Sequence, residues 1–505
     1  MRNFIGKKFL LLIMAVIMAM ANPYPAFADD NTASIEKRLN DLEAQVTELK
    51  GELAQQKQAA VPPAANTTTT QTLPTAYVTA NAKDGFSIKS ANGDYSFRMG
   101  GYTQVEAREF ADNNKEELGE ASSILARRVR LQFTGTVARD FDFYIQPDFS
   151  YNNTYSYTTP TGYTNGSPLV IASTPSAYAV SLPDAWIDYK YFPDAIIKAG
   201  KMKTPFDLEN LQDSRWTDFV ELGLTGNLSP QRDLGVQVGG NLYYDWITYA
   251  AGLFDGAADK ETGYGGYSTG GDTNSKNGVG RVFANPFKDT GIDPLKGFGI
   301  GFAASYGKEK GTDLPVYISP GQAPVFAYNY GVSAAGPQLR TEPQADFYYK
   351  SLGILVERVS SQETLQYTNS SGHIVRDKPD NKAWSLEGSY VLTGEDASYN
   401  GVIPKNDLNP SKGHWGAFEL VSRYGELKLD HRIFDDGFSN LNTSISNEQA
   451  WAFGFNWYLN RNIKVAFAFE QTKFDRGAYV VGGNSGNNGN RKTENLFTTM
   501  LQLSM

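Results

Sequence analysis

The residues that best suggest a chemical role are arginines at alternate positions of strand-like segments. An arginine stays charged at physiological pH and donates paired hydrogen bonds to phosphate or carboxylate oxygens. Repeated along one face, such side chains predict a path for small anions; the predicted residues here are Arg98, Arg108, Arg128 and Arg130. Pairing with acidic residues on neighbouring strands explains these arginines equally well. The acidic candidates are Glu106, Asp142, Asp148 and Asp184.

A second group of basic residues lies in the stretch 196–232, which follows a strand and is longer than a simple turn. A loop of this kind can fold into a barrel and narrow it, or it can remain a solvated surface loop. The residues predicted to join the anion path from this stretch are Lys201, Lys203, Arg215 and Arg232.

Catalytic and metal chemistry have little support in the sequence. The chain has no cysteine, and its three histidines, His373, His414 and His431, lie far apart in polar surroundings. A metal site needs ligands close together, and a nucleophile needs a nearby base. We predict no catalytic residue, no metal site and no cofactor. The net charge of -9 and the pI near 5.1 also argue against a nucleic-acid partner.

The segment Trp451–Lys473 shows the elements that must position these residues. Its odd positions from 451 to 459 and from 463 to 469 are apolar, and its even positions in the same ranges are small or polar. A period of two indicates strands, because successive side chains leave opposite faces. Asn460–Asn462 suits a tight turn between them, since Asn tolerates the left-handed region. The alternation alone does not decide whether the apolar face meets a soluble core or lipid.

The same alternation returns from about residue 84 to the end, and the connections alternate in length. The short connections are Ala138–Asp140, Phe192–Asp194, Tyr244–Trp246 and Asn460–Asn462. The long ones are 111–122, 152–180, 204–231, 255–279, 309–342, 396–412, 431–447 and 475–492. Turns at one end and long loops at the other are typical of outer-membrane barrels, and not of a soluble sandwich.

We therefore predict an all-β fold, a transmembrane antiparallel β-barrel of about 16 strands, with the polar face lining a water-filled lumen. The apolar face then meets lipid, and the residues predicted there are Trp451, Phe453, Phe455, Trp457, Phe467 and Phe469. Strict alternation along the strand also assigns Arg127 to the lipid face. A long side chain near a strand end can reach from that face to the rim of the barrel.

The N-terminal part divides into three predicted segments before the barrel domain at 84–505. Residues 1–28 have the basic start, short apolar core and small-residue end of a cleaved signal peptide, whereas a membrane anchor needs a longer apolar run. Residues 29–55 carry a heptad seam that predicts a coiled coil, with a single amphipathic helix as the alternative. Residues 56–83, rich in Gln, Pro and Thr, predict a flexible linker.

Several segments together resemble the phosphate-selective porin O/P family. They are GKMKTPF at 200–206, SPQRDLGVQVGG at 229–240, GRVFANPF at 280–287, GSYVLTGE at 388–395, WGAFELVSRY at 415–424 and NWYLNRNIKVAF at 456–467. The resemblance implies a sixteen-stranded outer-membrane barrel, usually trimeric, with an inward-folded third loop and a ladder of basic residues that conducts phosphate. The residues that match basic positions of the family are Arg127, Arg128, Arg130, Lys201, Lys203 and Arg232.

The expected function is passive diffusion of small anions, phosphate first among them, through a homotrimeric pore in the bacterial outer membrane. A general or weakly selective porin is an alternative, because the loop 255–279 carries only Lys260 and Lys276 as basic residues. Another alternative is a structural protein whose barrel is an anchor and whose coiled coil contacts the cell wall.

Overall fold

The computed structural model describes residues 76–81, 85–111, 122–150, 154–158, 165, 170–174, 180–256, 276–312, 314–478 and 491–505. The predicted signal peptide, the predicted coiled coil and the linker up to residue 75 lie outside these residues. Among the residues described, no helix is long and apolar enough to cross a membrane.

Most of the described chain is β-strand. In chain order the strands are β1 (Ala76–Asn81), β2 (Gly85–Ser90), β3 (Ser96–Phe110), β4 (Ser123–Val137), β5 (Phe141–Asp148), β6 (Thr154–Thr158), β7 (Val170–Thr174), β8 (Ser181–Tyr189), β9 (Ile196–Lys203), β10 (Arg232–Leu242), β11 (Ile247–Phe254), β12 (Asn277–Ala284), β13 (Phe298–Gly311), β14 (Tyr317–Ile318), β15 (Pro324–Phe326), β16 (Ser333–Tyr349), β17 (Leu352–Thr368), β18 (Ile374–Asp377), β19 (Asp380–Val391), β20 (Ala417–Lys428), β21 (Asn447–Tyr458), β22 (Ile463–Ala478) and β23 (Arg491–Ser504). The short helices are α1 (Leu208–Leu211) and α2 (Arg432–Asp435), with 3-10 turns at Leu224–Asn227, Asp293–Leu295 and Pro410–Lys412.

Sixteen of these strands form a closed ring of antiparallel neighbours, in the order β3, β4, β5, β8, β9, β10, β11, β12, β13, β16, β17, β19, β20, β21, β22 and β23. The ring closes where β23 pairs with β3, and Met505 adds two backbone hydrogen bonds to Gly101. The predicted barrel is therefore confirmed. Gly101 has φ +154°, and a Cβ there would lie 2.3 Å from the Arg130 carbonyl oxygen, so this close approach requires glycine.

The remaining described strands pair with the ends of barrel strands or form hairpins in the loops. β1 pairs with β2, and β2 pairs with the start of β3. The strand β1 falls inside the predicted linker 56–83, so the last part of that segment is extended and paired. The pairs β6–β7 and β14–β15 are hairpins within long connections, and β18 pairs with the end of β17.

Side chains alternate between the two faces of the barrel as the sequence predicts. Along β20 the residues at odd positions are buried, among them Glu419 and Arg423, whereas Leu420 and Tyr424 are exposed. The outward row is mainly apolar or aromatic from Phe418 to Tyr424 and ends in the charged Glu426 and Lys428, whereas the buried row contains Glu419 and Arg423. An apolar outer face and a polar inner face are the arrangement that a lipid bilayer requires of a barrel.

The four predicted short turns all join neighbouring barrel strands. Ala138 and Arg139 adopt positive φ in the turn between β4 and β5. The turn Asn460–Asn462 is formed differently from our expectation, since no residue in it has a positive φ. The Asn460 side chain instead accepts hydrogen bonds from the backbone N–H groups of Asn462 (2.8 Å) and Ile463 (2.9 Å).

Two of the predicted long loops need correction. The first, 309–342, ends earlier, because β16 begins at Ser333 and residues 333–342 are paired strand. The second, 396–412, joins β19 to β20 and therefore lies at the end of the barrel that carries the short turns. Long connections are therefore not confined to one end of the barrel. A polar composition does not tell which end of a barrel a connection belongs to.

At the other end, hereafter the long-loop end, the connections 312–332 and 429–446 pack on each other. Asn329 donates a backbone hydrogen bond to Phe438 (2.8 Å), and Ile445 donates one to Val325 (3.1 Å). The contact is apolar; its buried residues include Tyr317, Val325, Phe326, Ile433, Phe438 and Ile445. Burial of this apolar surface holds the two loops over the mouth of the barrel.

Candidate functional site

The connection 204–231, called the inward loop below, folds from the end of β9 into the barrel. Phe206, Leu208 and Leu228 are at most 2 % exposed, so apolar side chains hold it inside. The Asp207 carboxylate accepts a hydrogen bond from the Asn210 backbone N–H (2.7 Å) and thereby caps α1. The sequence-based expectation that this loop enters the lumen agrees with its position.

One side of the barrel offers carboxylates to the inward loop. We call this set the acidic wall; it consists of Glu342, Glu357, Glu387, Glu419 and Glu470, on β16, β17, β19, β20 and β22. The Leu208 backbone N–H donates to Glu342 (3.2 Å) and to Glu357 (3.1 Å). The Thr225 hydroxyl also donates to Glu357 (2.8 Å). These hydrogen bonds fix the loop in place against the wall of the barrel.

Arg423 joins the inward loop to the acidic wall. Its guanidinium lies 3.1 Å from Glu209 of the loop, 3.2 Å from Glu387 and 3.4 Å from Glu470, and its side chain is 4 % exposed. It also donates to the Glu221 backbone carbonyl (2.9 Å). Burial, together with the nearby charge of Glu387, raises the pKa of the Glu209 carboxyl well above its ordinary value.

Glu221 ties the inward loop to the opposite side of the barrel. Its carboxylate forms a double hydrogen bond with the Arg127 guanidinium and accepts another from Arg108 (2.7 Å). Burial works against ionisation of Glu221, but the charges of Arg127 and Arg108 outweigh it and lower the pKa to about 2. The loop is therefore held between the two sides.

Arg127 corrects the assignment made from parity. Gln104 pairs with Arg128 and the next residue, Val105, pairs with Ala126, so Arg127 is the extra residue of a β-bulge. The bulge shifts the alternation of β4, and Arg127 reaches Glu221 inside the barrel. Strict parity placed it toward lipid because a bulge leaves no mark in a simple period of two.

Beside the inward loop lie two neighbouring cavities, one above the other. The cavity toward the long-loop end has a volume of about 280 Å³, and the one toward the turns about 330 Å³. We call them the upper and the lower cavity. Arg130, Arg232 and Ser214 line both, so these three residues lie at the junction.

Basic side chains outnumber acidic ones in the lining of both cavities. The upper cavity is lined by five basic residues, Arg127, Arg128, Arg130, Lys201 and Arg232, and by three acidic ones, Asp148, Glu209 and Glu221. The lower cavity is lined by five basic residues, Arg130, Lys198, Lys203, Arg232 and Arg281, and by two acidic ones, Asp184 and Asp213. We call the basic residues carried by β4, β9, β10 and β12 the basic wall.

Several predicted arginines are paired with carboxylates, as the alternative explanation anticipated. Arg130 bonds Asp148 (2.6 Å) and Arg232 bonds Asp184 (3.1 Å), while both still line the cavities. Two others are paired and line neither cavity: Arg108, which bonds Glu106 (2.8 Å) and Glu221, and Arg215, which bonds Asp213 (2.6 Å). Arg98 lies at the start of β3 and is also outside both linings.

Arg128 differs from these paired arginines because its hydrogen-bond partners are uncharged. It donates to the Gln104 side-chain oxygen (2.8 Å) and to the Val220 carbonyl (3.0 Å), both uncharged. Among the described residues, no carboxylate lies within ion-pair distance of it. Lys203 is similar, since it donates to the Gln212 carbonyl (2.5 Å). Such cations contribute a net positive field to the cavity that they line.

Two basic lining residues were not singled out from the sequence. Arg281 donates to Gln344 (2.8 Å) and lies over the Phe283 ring, 4.7 Å from its centre. Lys198 lies 3.7 Å from the centre of the Trp186 ring. Each occupies an inward position of its strand, so the signal was the alternation of β12 and β9. Cation–π contacts of this kind hold a charged group without neutralising it.

The predicted lipid-facing residues lie on the outer face of β21 and β22. Phe453 is 62 % exposed and Phe467 is 45 % exposed, and the other four are half-buried by their aromatic neighbours. Trp451 packs against Phe469 with ring centres 5.4 Å apart, and Trp457 donates to the Trp415 carbonyl (2.7 Å). Their contact with lipid is a prediction that follows from this placement.

Comparisons with known proteins relate the chain to a family of porins. The sequence profile of the family described as phosphate-selective porin O and P matches residues 97–503. Porin O of Pseudomonas aeruginosa is 22 % identical over 424 residues, which cover 79 % of this chain and 88 % of Porin O.

Solved structures similar to this chain include outer-membrane proteins. The outer membrane channel DcaP of Acinetobacter baumannii has a TM-score of 0.49 at 12 % identity, covering 83 % of this chain and 99 % of DcaP. OmpT of Vibrio cholerae, in a structure described as its trimer form, has a TM-score of 0.43 at 10 % identity and covers 81 % of this chain and 99 % of OmpT.

The family match spans most of the barrel, and the closed ring of sixteen strands with polar cavities inside is the architecture of an outer-membrane porin. The chain belongs to the phosphate-selective porin O and P family.

Proposed function

We propose that this porin conducts small anions, oxyanions such as phosphate among them, by passive diffusion along its basic wall. The observation that carries the proposal is the surplus of basic over acidic residues in the lining of both cavities. Cations that line a narrow space with low-dielectric walls concentrate anions there. The negative charge of the whole chain does not oppose this, because the local placement of charges sets the field in a pore.

Arg128 and Arg130 are the residues that we propose as the main guides of the anion. Arg130 lies at the junction of the cavities, and Arg128 has uncharged partners in the upper one. A guanidinium donates several N–H groups in one plane, and phosphate or carboxylate oxygens accept two at a time. The ion therefore exchanges part of its hydration shell for these donors as it passes.

The experiment is a measurement of reversal potential in planar bilayers under a salt gradient. We expect an anion preference in the wild type and, in Arg128→Gln, a loss of about fivefold in that preference, the effect of roughly 1 kcal/mol of electrostatic energy. Arg139→Gln is the matched control, because Arg139 is exposed in the turn between β4 and β5 and neither it nor its partner Asp94 lines a cavity. A preference for cations in the wild type would overturn the proposal.

We also propose that the chain assembles as a homotrimer after export through a signal peptide at 1–28. Membership of the family supports both statements. Native mass spectrometry of the protein extracted from the outer membrane tests them together. It should give three copies, each lighter by the mass of the signal peptide, whereas single copies of the full chain would contradict both.

A further inference from the structure

Four basic residues face away from the lumen near the long-loop end of the barrel. They are Arg358 on β17, Lys382 on β19, Lys428 on β20 and Lys473 on β22, and all four are exposed. They lie on a run of five adjacent strands, of which only β21 contributes no member, and cross-strand pairs connect their positions: Arg358 pairs with Trp384, Trp384 with Glu426, Glu426 with Gln449 and Gln449 with Lys473. We call this group the outer basic patch.

The height of the patch follows from β20. Phe418, beside Trp457 with ring centres 5.7 Å apart, marks the lower aromatic belt near the turns. From Phe418 to Lys428 the tilted strand rises about 25 Å, which is the height of the apolar band of an outer-membrane barrel. Trp384 and Tyr424, with ring centres 5.4 Å apart, form the upper belt just below Lys428. The patch therefore lies at the level of the outer headgroups.

The patch contains more positive charge than its own acids balance. Lys382 and Lys428 are directly opposite each other on paired strands, and like charges in that position destabilise a sheet. Three acids lie nearby: Asp380 bonds Lys382 (3.0 Å), Glu426 accepts from the Trp384 and Gln449 side chains (3.4 Å each), and Asp475 accepts from the backbone N–H of Asn447 (3.0 Å), the partner of Lys428. The four cations thus exceed the three acids, and an external anion would relieve the repulsion.

We propose that the outer basic patch binds the phosphate groups of the phosphorylated glycolipid in the outer leaflet. Anionic headgroups at this height complement the excess positive charge, and each Lys or Arg near an anionic membrane surface adds favourable energy. The acyl chains of the same lipid would lie on the apolar outer face directly below. The patch is a lipid site on the outside of the barrel and is separate from the ion path inside.

The other half of the outer face explains why a second copy of the chain is the less suitable occupant. At the long-loop end of β4 and β11 the outward residues are apolar, and Ile124 is 79 % and Leu253 67 % exposed. Large exposed apolar side chains fit a contact between copies. The charged half is then left to face lipid.

The experiment is a binding titration by native mass spectrometry, with the delipidated protein in detergent and two lipids, bisphosphorylated lipid A and its dephosphorylated form. We expect the triple variant Lys382→Gln, Lys428→Gln, Lys473→Gln to bind the phosphorylated lipid about a hundredfold more weakly than wild type. Binding of the dephosphorylated form should be weak and equal in both proteins. If the triple variant does not fold, Lys428→Gln alone should show a loss of about fivefold.

The matched control removes the same charge at the opposite end of the barrel. Lys288, Lys296 and Lys350 are exposed cations among the turns, and their triple change to Gln should leave lipid binding as in wild type. Equal affinity of the patch variant and the wild type for the phosphorylated lipid would overturn the proposal. So would dissociation of the patch variant into single copies in lipid-free detergent, which would make the patch an interface.

Discussion

The two halves of the barrel use charge in different ways. In the half from β16 to β22, the glutamates of the acidic wall are buried and face the lumen. The inward loop donates backbone N–H groups to Glu342 and Glu357, and Arg423 joins Glu209 of the loop to Glu387 and Glu470. In the half from β4 to β12, basic side chains line open cavities. The acidic half therefore positions the loop, and the basic half is left to meet the ion.

The comparison teaches that formal charge on a barrel wall does not by itself define the ion path. Glutamates that accept hydrogen bonds from a loop are hidden from the solvent and contribute little to selectivity. Cations held by neutral acceptors or by aromatic rings, such as Arg128 and Lys198, keep their field. The ion selectivity of the pore depends on which charged groups remain in contact with water.

The largest expected effect is on stability, from Arg423→Ala in the acidic half. The change leaves Glu209, Glu387 and Glu470 buried without their cation, and breaking a buried ion pair costs roughly 3–5 kcal/mol. Urea unfolding of the barrel in lipid vesicles measures it. Arg139→Ala, which removes an exposed arginine paired with Asp94, should leave the unfolding free energy nearly unchanged.

The next effect is a dependence of stability on pH through Glu221. Because its pKa is about 2 in the folded protein, the native state binds fewer protons than the unfolded chain, whose Glu pKa lies near its ordinary value. The stabilisation, about 3 kcal/mol, is thus present above pH 5 and is lost as pH falls toward 2. The difference in unfolding free energy between wild type and Glu221→Gln should shrink over that range. A constant difference would contradict the account.

Removal of the Glu221 charge is expected to change the anion preference in the opposite direction from removal of the Arg128 charge. Glu221→Gln leaves the charge of Arg127 uncompensated in the lining of the upper cavity, whereas Arg108 keeps its ion pair with Glu106. We expect the anion preference in a bilayer measurement to rise, by about fivefold. Glu426→Gln makes the same change of charge on the outer face and should leave the reversal potential in place. A fall in anion preference for Glu221→Gln would show that the basic wall does not guide the ion.

The smallest effect concerns the corrected connection 396–412. The Tyr399 hydroxyl donates to the Leu208 carbonyl (2.5 Å), and Gln212 donates to the Tyr399 carbonyl (2.9 Å), so this segment touches the inward loop from the turn end. Tyr399→Phe removes one hydrogen bond and should lower the unfolding free energy by about 1 kcal/mol. Single-channel recordings should show unchanged selectivity, because the contact lies on the acidic side of the loop.

The alternation of residues was sufficient to predict the barrel and its approximate number of strands. The entry of the 204–231 loop was one of two alternatives left open by the residues, and only the resemblance to the family implied it. The alternation was insufficient at Arg127, because a β-bulge turns this side chain from the outer to the inner face. It was also insufficient for the connection 396–412, because only the number of preceding strands determines at which end of the barrel the connection lies. The pairing of Arg130 with Asp148 required the register, which a period of two does not contain. The uncharged partners of Arg128 depend on how the inward loop packs, and that is a tertiary property.

The reversal potential of the wild-type protein in a neutral bilayer under a salt gradient tests the central claim most directly. We expect a potential of the sign that anion flow produces, larger at low ionic strength, where charges in the cavities are less screened. A potential near zero at low salt, or one of the sign that cation flow produces, would contradict the division of the barrel into a basic path and an acidic support.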